Sequence, residues 1–220
     1  GVGSIITIRR SGKVIPYIVN VVEPAEKGMM PTLDYEWTES GVDIVLKNSI
    51  YDITVKEKNI LAFFKGIEAD GIGPGNIKRI MDAGFDTVTK IIAMTKDDLL
   101  KVDGFKEKTA TKLYNSINER IRKSKLHTLM SASNLFGRGF GETRFITVLS
   151  KYPDILTSTI SNEEKIKLVK NVAGIASLTA GRFVDNIAKF NQFMNDAGLE
   201  HILYDKKALV SVDTVDTVDT

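Results

Sequence analysis

Gly71, Gly104, Gly139 and Gly174 each head a short segment of the same design: DGIGPGNIKRIM, DGFKEKTATKLY, RGFGETRFITVL and AGIASLTAGRFV. The residue after each glycine is apolar (Ile72, Phe105, Phe140, Ile175), and the next is small in three copies (Gly73, Gly141, Ala176) and Lys106 in the second. A tight turn of this kind, feeding a helix N-terminus, leaves backbone N–H groups facing outward with the positive end of the helix dipole behind them. Such a turn is an anion cradle. Glycine suits it because a side chain would hold the backbone away from a phosphate oxygen and because these turns often need positive φ. Basic residues lie where they add charge: Lys78 and Arg79, then Lys106, Lys108 and Lys112, then Arg144, then Arg182. Arg79, Lys112 and Arg182 share one offset from their glycine. Contacts of this kind read a phosphate backbone and carry little sequence information, so binding is expected to be nonspecific and steeply salt-dependent.

Other chemistries find little support. The chain has no cysteine, which excludes disulfides, thiolate zinc sites, iron–sulfur clusters and cysteine nucleophiles, and His127 and His201 are too far apart for a local metal motif. Metal: none is the expectation. Lys101-Val102-Asp103-Gly104 offers a lysine before Asp-Gly. A nucleophilic lysine needs a depressed pKa inside a nucleotide pocket, whereas this one ends a helical stretch just before a repeat glycine. The repeat explains the pair, because Asp70-Gly71 shows it too. No catalytic residue is assigned.

The elements that must position these turns follow from the repeat. The four glycines are spaced 33, 35 and 35 residues apart. Three later positions are apolar in every copy: Ile77, Ala110, Phe145 and Ala180; Ile80, Leu113, Val148 and Phe183; Met81, Tyr114, Leu149 and Val184. Their spacing puts them on one helical face, so each turn opens an amphipathic helix. Further helical pattern precedes the turns, as at 96–101 and 163–171. The unit is helix, tight glycine turn, helix. Ordinary helix connections with glycine caps are the plainer reading of one copy, and four copies in register argue against it. The fourth, with Ala176 and no adjacent lysine, is the weakest and is expected to pack on the third.

With 220 residues, 43% hydrophobic and 26% charged, the chain can bury a core of one to three small domains. It has neither an apolar run of about 18 residues nor the layout of a signal peptide, so a soluble intracellular protein is expected. The net charge is only +2, but residues 61–130 hold 13 basic against 9 acidic residues, and residues 1–30 hold 4 against 2. That surplus lies where phosphate contacts would be expected.

Residues 4–22, SIITIRRSGKVIPYIVNVV, read as two strands around an Arg-Arg-Ser-Gly-Lys turn, with Pro16 at an edge or bulge. The four repeats resemble the helix-hairpin-helix family, whose members grip duplex DNA through paired motifs. IRRSGKVIPYIVNVV is similar to part of the OB-fold of NAD-dependent DNA ligases, and LLKVDGFKEKTATKL and LFGRGFGETR resemble that family's second and third hairpins. In that family the OB-fold precedes a short zinc module and four helix-hairpin-helix motifs, an order matched over about residues 1 to 197. Lys101-Val102-Asp103-Gly104 also resembles the Lys-x-Asp-Gly string that carries the adenylated lysine of ligases, a decoy that the repeat accounts for.

Three departures stand out. Residues 31–48, PTLDYEWTESGVDIVLKN, hold none of the zinc module's four cysteines, and a hairpin turning at Glu39-Ser40-Gly41 is expected in its place. Lys13 stands where the family usually has an acidic residue, which either strengthens phosphate contact or means nothing. The adenylation and BRCT domains are lacking, as in an excised fragment or one subunit of a split ligase.

The expected fold is α+β, mainly α: a partial OB-fold β-barrel over residues 1–30, a cysteine-free hairpin over 31–58, four helix-hairpin-helix motifs over 59–200, and a tail over 201–220. The tail ends in three Val-Asp-Thr repeats, from disorder, an appended sequence or an unusual terminus. The resemblance implies a non-catalytic part of a DNA ligase that clamps nicked duplex DNA in replication or repair. It implies an adenylation domain or subunit as partner, no cofactor in this chain, NAD for the complete ligase, and no membrane. The location implied is the cytoplasm or nucleoid, or the host-cell cytoplasm if the source is viral. Arg9, Arg10 and Lys13 join the hairpin residues as DNA-binding candidates. The alternative is a Holliday-junction-binding protein, also an OB-fold followed by helix-hairpin-helix motifs but normally with two. A glycosylase would need a base pocket for which the repeats leave little chain, and a purely structural helical scaffold is the bland alternative.

Overall fold

The computed structural model describes residues 1–11, 15–48, 52–137 and 139–205, which fall into two compact units, Gly1–Ser49 and Ile50–Thr220.

In the first unit, β1 (Ile5–Ser11) and β2 (Ile15–Glu23) pair antiparallel from Ile5↔Glu23 to Ser11↔Ile15. Branched residues favour this extended pairing. The register slips between Ile5 and Ile6 and between Thr7 and Ile8, whereas Pro16 sits within the ladder opposite Arg10. Since both strands are edges, the missing proline N–H is tolerated. Successive strand residues point to opposite faces, and both Ile18 and Val19 are exposed at 55% and 52%, so neither face of the ribbon is covered among the described residues. A lone two-stranded ribbon is marginal in water. Farther on, β3 (Tyr35–Trp37) pairs with β4 (Ile44–Leu46). Their connection contains Glu39, Ser40 and Gly41. The Gly41 N–H donates to the Thr38 carbonyl at 2.8 Å, and Gly41 holds a φ of +65°.

The second unit is helical throughout the described residues: α1 (Ile53–Gly66), α2 (Pro74–Asp82), α3 (Val88–Ile92), α4 (Lys96–Lys101), α5 (Glu107–Lys123), α6 (Leu126–Ser133), α7 (Glu142–Lys151), α8 (Asn162–Lys170) and α9 (Ser177–Asp196). The α+β, mainly α class holds. Helix α1 starts ahead of residue 59, where the sequence reading began the helical region. The carboxylate of Asp52 accepts the Val55 N–H at 2.9 Å and caps the helix, offsetting the weak helix preference of Ile53, Thr54 and Val55. A 3₁₀-helix, Glu200–Tyr204, follows α9 and buries Leu203. Regular structure is thus present within the expected tail, and the Val-Asp-Thr repeats lie outside the described residues.

The repeat's apolar register is the core. All of its positions are buried except Phe140 and Tyr114, which are partly buried against the same cluster. The third and fourth motifs meet through aromatic rings. Phe183 of α9 stacks on Phe136 with centroids 5.0 Å apart and meets Phe140 at 5.1 Å, while Phe136 meets Phe145 edge-on at 5.1 Å. Phe63 of α1 joins Phe193 of α9 at 5.6 Å.

Candidate nucleic-acid interface

The four turns share one backbone geometry. Gly71, Gly104, Gly139 and Gly174 hold φ of +82°, +75°, +101° and +77°, and the helix-capping residues Gly73, Lys106, Gly141 and Ala176 are all extended. In the second and fourth motifs the turn closes on itself, with Phe105 N–H donating to Val102 O at 3.0 Å and Ile175 N–H to Val172 O at 3.2 Å. The strictest demand is at Gly104. A β-carbon there would lie 3.0 Å from Arg79 Nη1 in a conformation that L side chains avoid.

Capping separates the two helices of each motif. The first helices of three motifs are capped by a side chain: α1 by Asp52, α4 by Thr95 and α8 by Ser161, the last two as reciprocal capping boxes with Asp98 and Glu164. The second helices, α2, α5, α7 and α9, have no side-chain cap. At the start of α5 the amides of Glu107, Lys108 and Thr109 hold no hydrogen bond among the described residues. Each such end concentrates roughly half a positive elementary charge with donors to spare. It can take an anion that the protein does not itself supply.

The basic side chains follow a similar division. Lys78, Arg79, Lys106, Lys108, Lys112 and Arg182 are exposed, and none is paired with a carboxylate among the described residues. Elsewhere Lys56 and Lys90 pair with Asp86, Arg120 with Glu68 and Lys123 with Glu119. Arg144 is different. Its Nη1 donates to the Gly139 carbonyl, so it ties down its own turn. Asn76 does the same for Gly71 at 2.8 Å, from the same offset in its motif.

Pairing of the first two motifs is reciprocal. Asp70 N–H in the first turn donates to Ser116 Oγ on α5 at 2.8 Å, and a β-carbon at Gly71 would touch Leu113 Cδ1 at 3.4 Å. The second turn in return lies on Arg79 of α2. Ser116 and Asn76 escaped the sequence reading: Ser116 lies 46 residues from its partner, and Asn76 shares its role with an arginine, so no residue type repeats.

Arg9 and Arg10 are strand residues of β1, opposite Tyr17 and Pro16, and not part of the turn; as neighbours in a pleated strand they point to opposite faces. Lys13 lies outside the described residues. Lys101 is exposed at the end of α4, 3.4 Å from Asp98. No group of three His, Cys, Asp or Glu is placed to hold a metal among the described residues, and residues 31–48, without a thiol, do not fit a zinc module. No described helix is long and apolar enough to cross a membrane.

Residues 67–119 match the SAM-like helix-hairpin-helix tandem family, which covers the first two turns and their reciprocal packing. The chain is 40% identical over 195 residues to a DNA ligase of Acanthamoeba polyphaga mimivirus, covering 88% of this chain and 31% of that protein. The chain is a relative of the DNA ligases. It is also 32% identical over 158 residues to a putative DNA ligase of Invertebrate iridescent virus 3, covering 71% of this chain and 20% of that protein. With a DNA ligase of Desulfatibacillum aliphaticivorans it shares 28% over 167 residues, 72% of this chain and 26% of that one. This DNA-ligase relative thus spans a third or less of the length of these proteins.

Proposed function

We propose that this chain is the duplex-DNA-binding part of an NAD-dependent DNA ligase, holding the phosphate backbone on either side of a nick without reading sequence. The observation that carries the reading is the set of uncapped helix ends at four hairpin turns, in a relative of DNA ligases. Backbone amides and unpaired lysines and arginines bind phosphate oxygens by charge-assisted hydrogen bonds and do not touch base edges. NAD belongs to the complete ligase. In this reading an adenylation domain or subunit moves AMP from NAD to the 5′ phosphate, and this chain contributes position. The β1–β2 ribbon, apolar on two open faces, is read as part of an OB-fold barrel completed by further strands.

The test is binding of the chain to nicked duplex across a salt series. The expected result is a linear fall of log K with log salt, with a slope of about −0.9 for each phosphate neutralised. A flat response, or no binding at moderate salt, overturns the reading. A preference for four-way junctions over nicked duplex would replace it with the Holliday-junction reading. NAD added to this chain alone is expected to leave it unadenylated.

A further inference from the structure

The two middle hairpins carry a feature at odds with anion binding. Helices α5 and α7 begin with Glu107 and Glu142, whereas α2 and α9 begin with Pro74 and Ser177. A carboxylate at the first helical position can fold back over the free amides and occupy the place of a phosphate. In the structure neither does. Glu107 Oε1 accepts from Lys96 Nζ and, at 3.3 Å, from Thr111 Oγ1, one turn farther along α5. Glu142 Oε1 accepts from Thr128 Oγ1 at 2.7 Å and is hydrogen-bonded to His127 Nδ1 at 2.9 Å. The chemistry differs, but the place is the same: Lys96 opens α4 and His127 and Thr128 lie in the first turn of α6, each the first helix of its motif.

We propose that Lys96 in the second motif, and His127 with Thr128 in the third, are positioning residues that draw the Glu107 and Glu142 carboxylates aside and keep both turns open to a backbone phosphate. The proposal rests on reading the turns as DNA-phosphate cradles. The hydrogen bond from Lys96 also holds the Glu107 carboxyl below its ordinary range, so it stays charged and tied. Without the tie, the same charge becomes an internal competitor for the amides.

The test is a double-mutant cycle on the full 220-residue chain, measuring affinity for nicked duplex by fluorescence anisotropy. K96M is expected to weaken binding about fourfold, the scale of one charge at a helix end. In an E107Q background, K96M is expected to change affinity less than about twofold, since only its long-range charge is lost. K96R keeps the tie and is expected to bind like the parent chain. A parallel cycle of T128V with E142Q repeats the logic in the third motif and decides the matter if K96M fails to fold. Equal losses with and without the glutamate would make Lys96 an ordinary phosphate contact and overturn the proposal. Salt-independent binding by the parent chain would instead overturn the DNA-binding reading beneath it.

Discussion

Arg79 of α2 lies against Gly104 of the neighbouring hairpin, its Nη1 3.0 Å from where a β-carbon at that glycine would sit. Gly104→Ala is therefore expected to carry two penalties: a left-handed φ of +75° for a residue with a side chain, and displacement of a guanidinium. Gly84→Ala is the control, with φ of +94° and nothing within 4 Å. Both variants are expected to lose about 1 kcal/mol from backbone strain, read as a lower urea midpoint. Only Gly104→Ala is expected to lose DNA affinity as well, and equal affinities for the two would remove Arg79 from the interface.

The lysines of the second motif are expected to dominate the salt response. Lys106, Lys108 and Lys112 are exposed and unpaired with carboxylates among the described residues, so replacing all three with alanine is expected to make the salt slope shallower by about 2 to 3. Arg182, the one basic residue in the first two turns of α9, is expected to change it by about 1 or less. Anisotropy titrations over several salt concentrations check this, and an unchanged slope in the triple variant would favour a purely structural role for the hairpins.

Phe183 joins two hairpins from inside the core. Its ring is fully buried and packs on both Phe136 and Phe140. Phe183→Ala is expected to cost about 3 to 5 kcal/mol, the usual range for emptying a phenylalanine site. Phe183→Leu keeps most of the volume and is expected to lose much less. Denaturant unfolding of the two variants checks the difference, and similar losses would mean that the site collapses freely.

The hairpin helices were legible in the sequence because one glycine and four apolar positions recur in register, and burial of that face is what folds the motif. Reciprocal pairing was not legible. It depends on Ser116 meeting Asp70 and on Arg79 meeting Gly104, contacts between segments whose separation no local period encodes. A second role of Arg144 was also hidden, since its guanidinium is bonded to the turn carbonyl of Gly139. The start of α1 was hidden by Ile53-Thr54-Val55, a β-branched run made helical by one capping carboxylate.

Lys101 gives a direct check on the decoy. Its side chain is 77% exposed at the end of a short helix, and its ion pair among the described residues is with the local carboxylate of Asp98. Nothing there desolvates the amine, as nucleophilic activation requires. Lys101→Ala is expected to keep DNA affinity within about twofold, one solvent-screened charge being lost. Tested together with the adenylation domain of a related DNA ligase, the variant is expected to leave adenylation intact. Loss of the covalent AMP adduct in that setting would reinstate the lysine as a nucleophile.

Asp86 ties three segments together and makes stability depend on pH in a definite direction. Its Oδ2 accepts from Lys56 of α1 at 2.8 Å and its Oδ1 from Lys90 of α3 at 2.7 Å. These hydrogen bonds, with Lys56 the larger influence, hold the carboxyl far below its ordinary range. A depressed folded value means that the unfolded chain binds the proton first as pH falls. The contribution is thus complete above the unfolded value of about 4 and drains away below it. The side chain is 32% exposed, so solvent screening limits the contribution to about 1 kcal/mol. Asp86→Asn is expected to lower the melting temperature at neutral pH, and the gap to the parent chain is expected to narrow as pH falls through about 4 toward 2. A gap that stays constant over that range would show that the contacts act through shape and not charge.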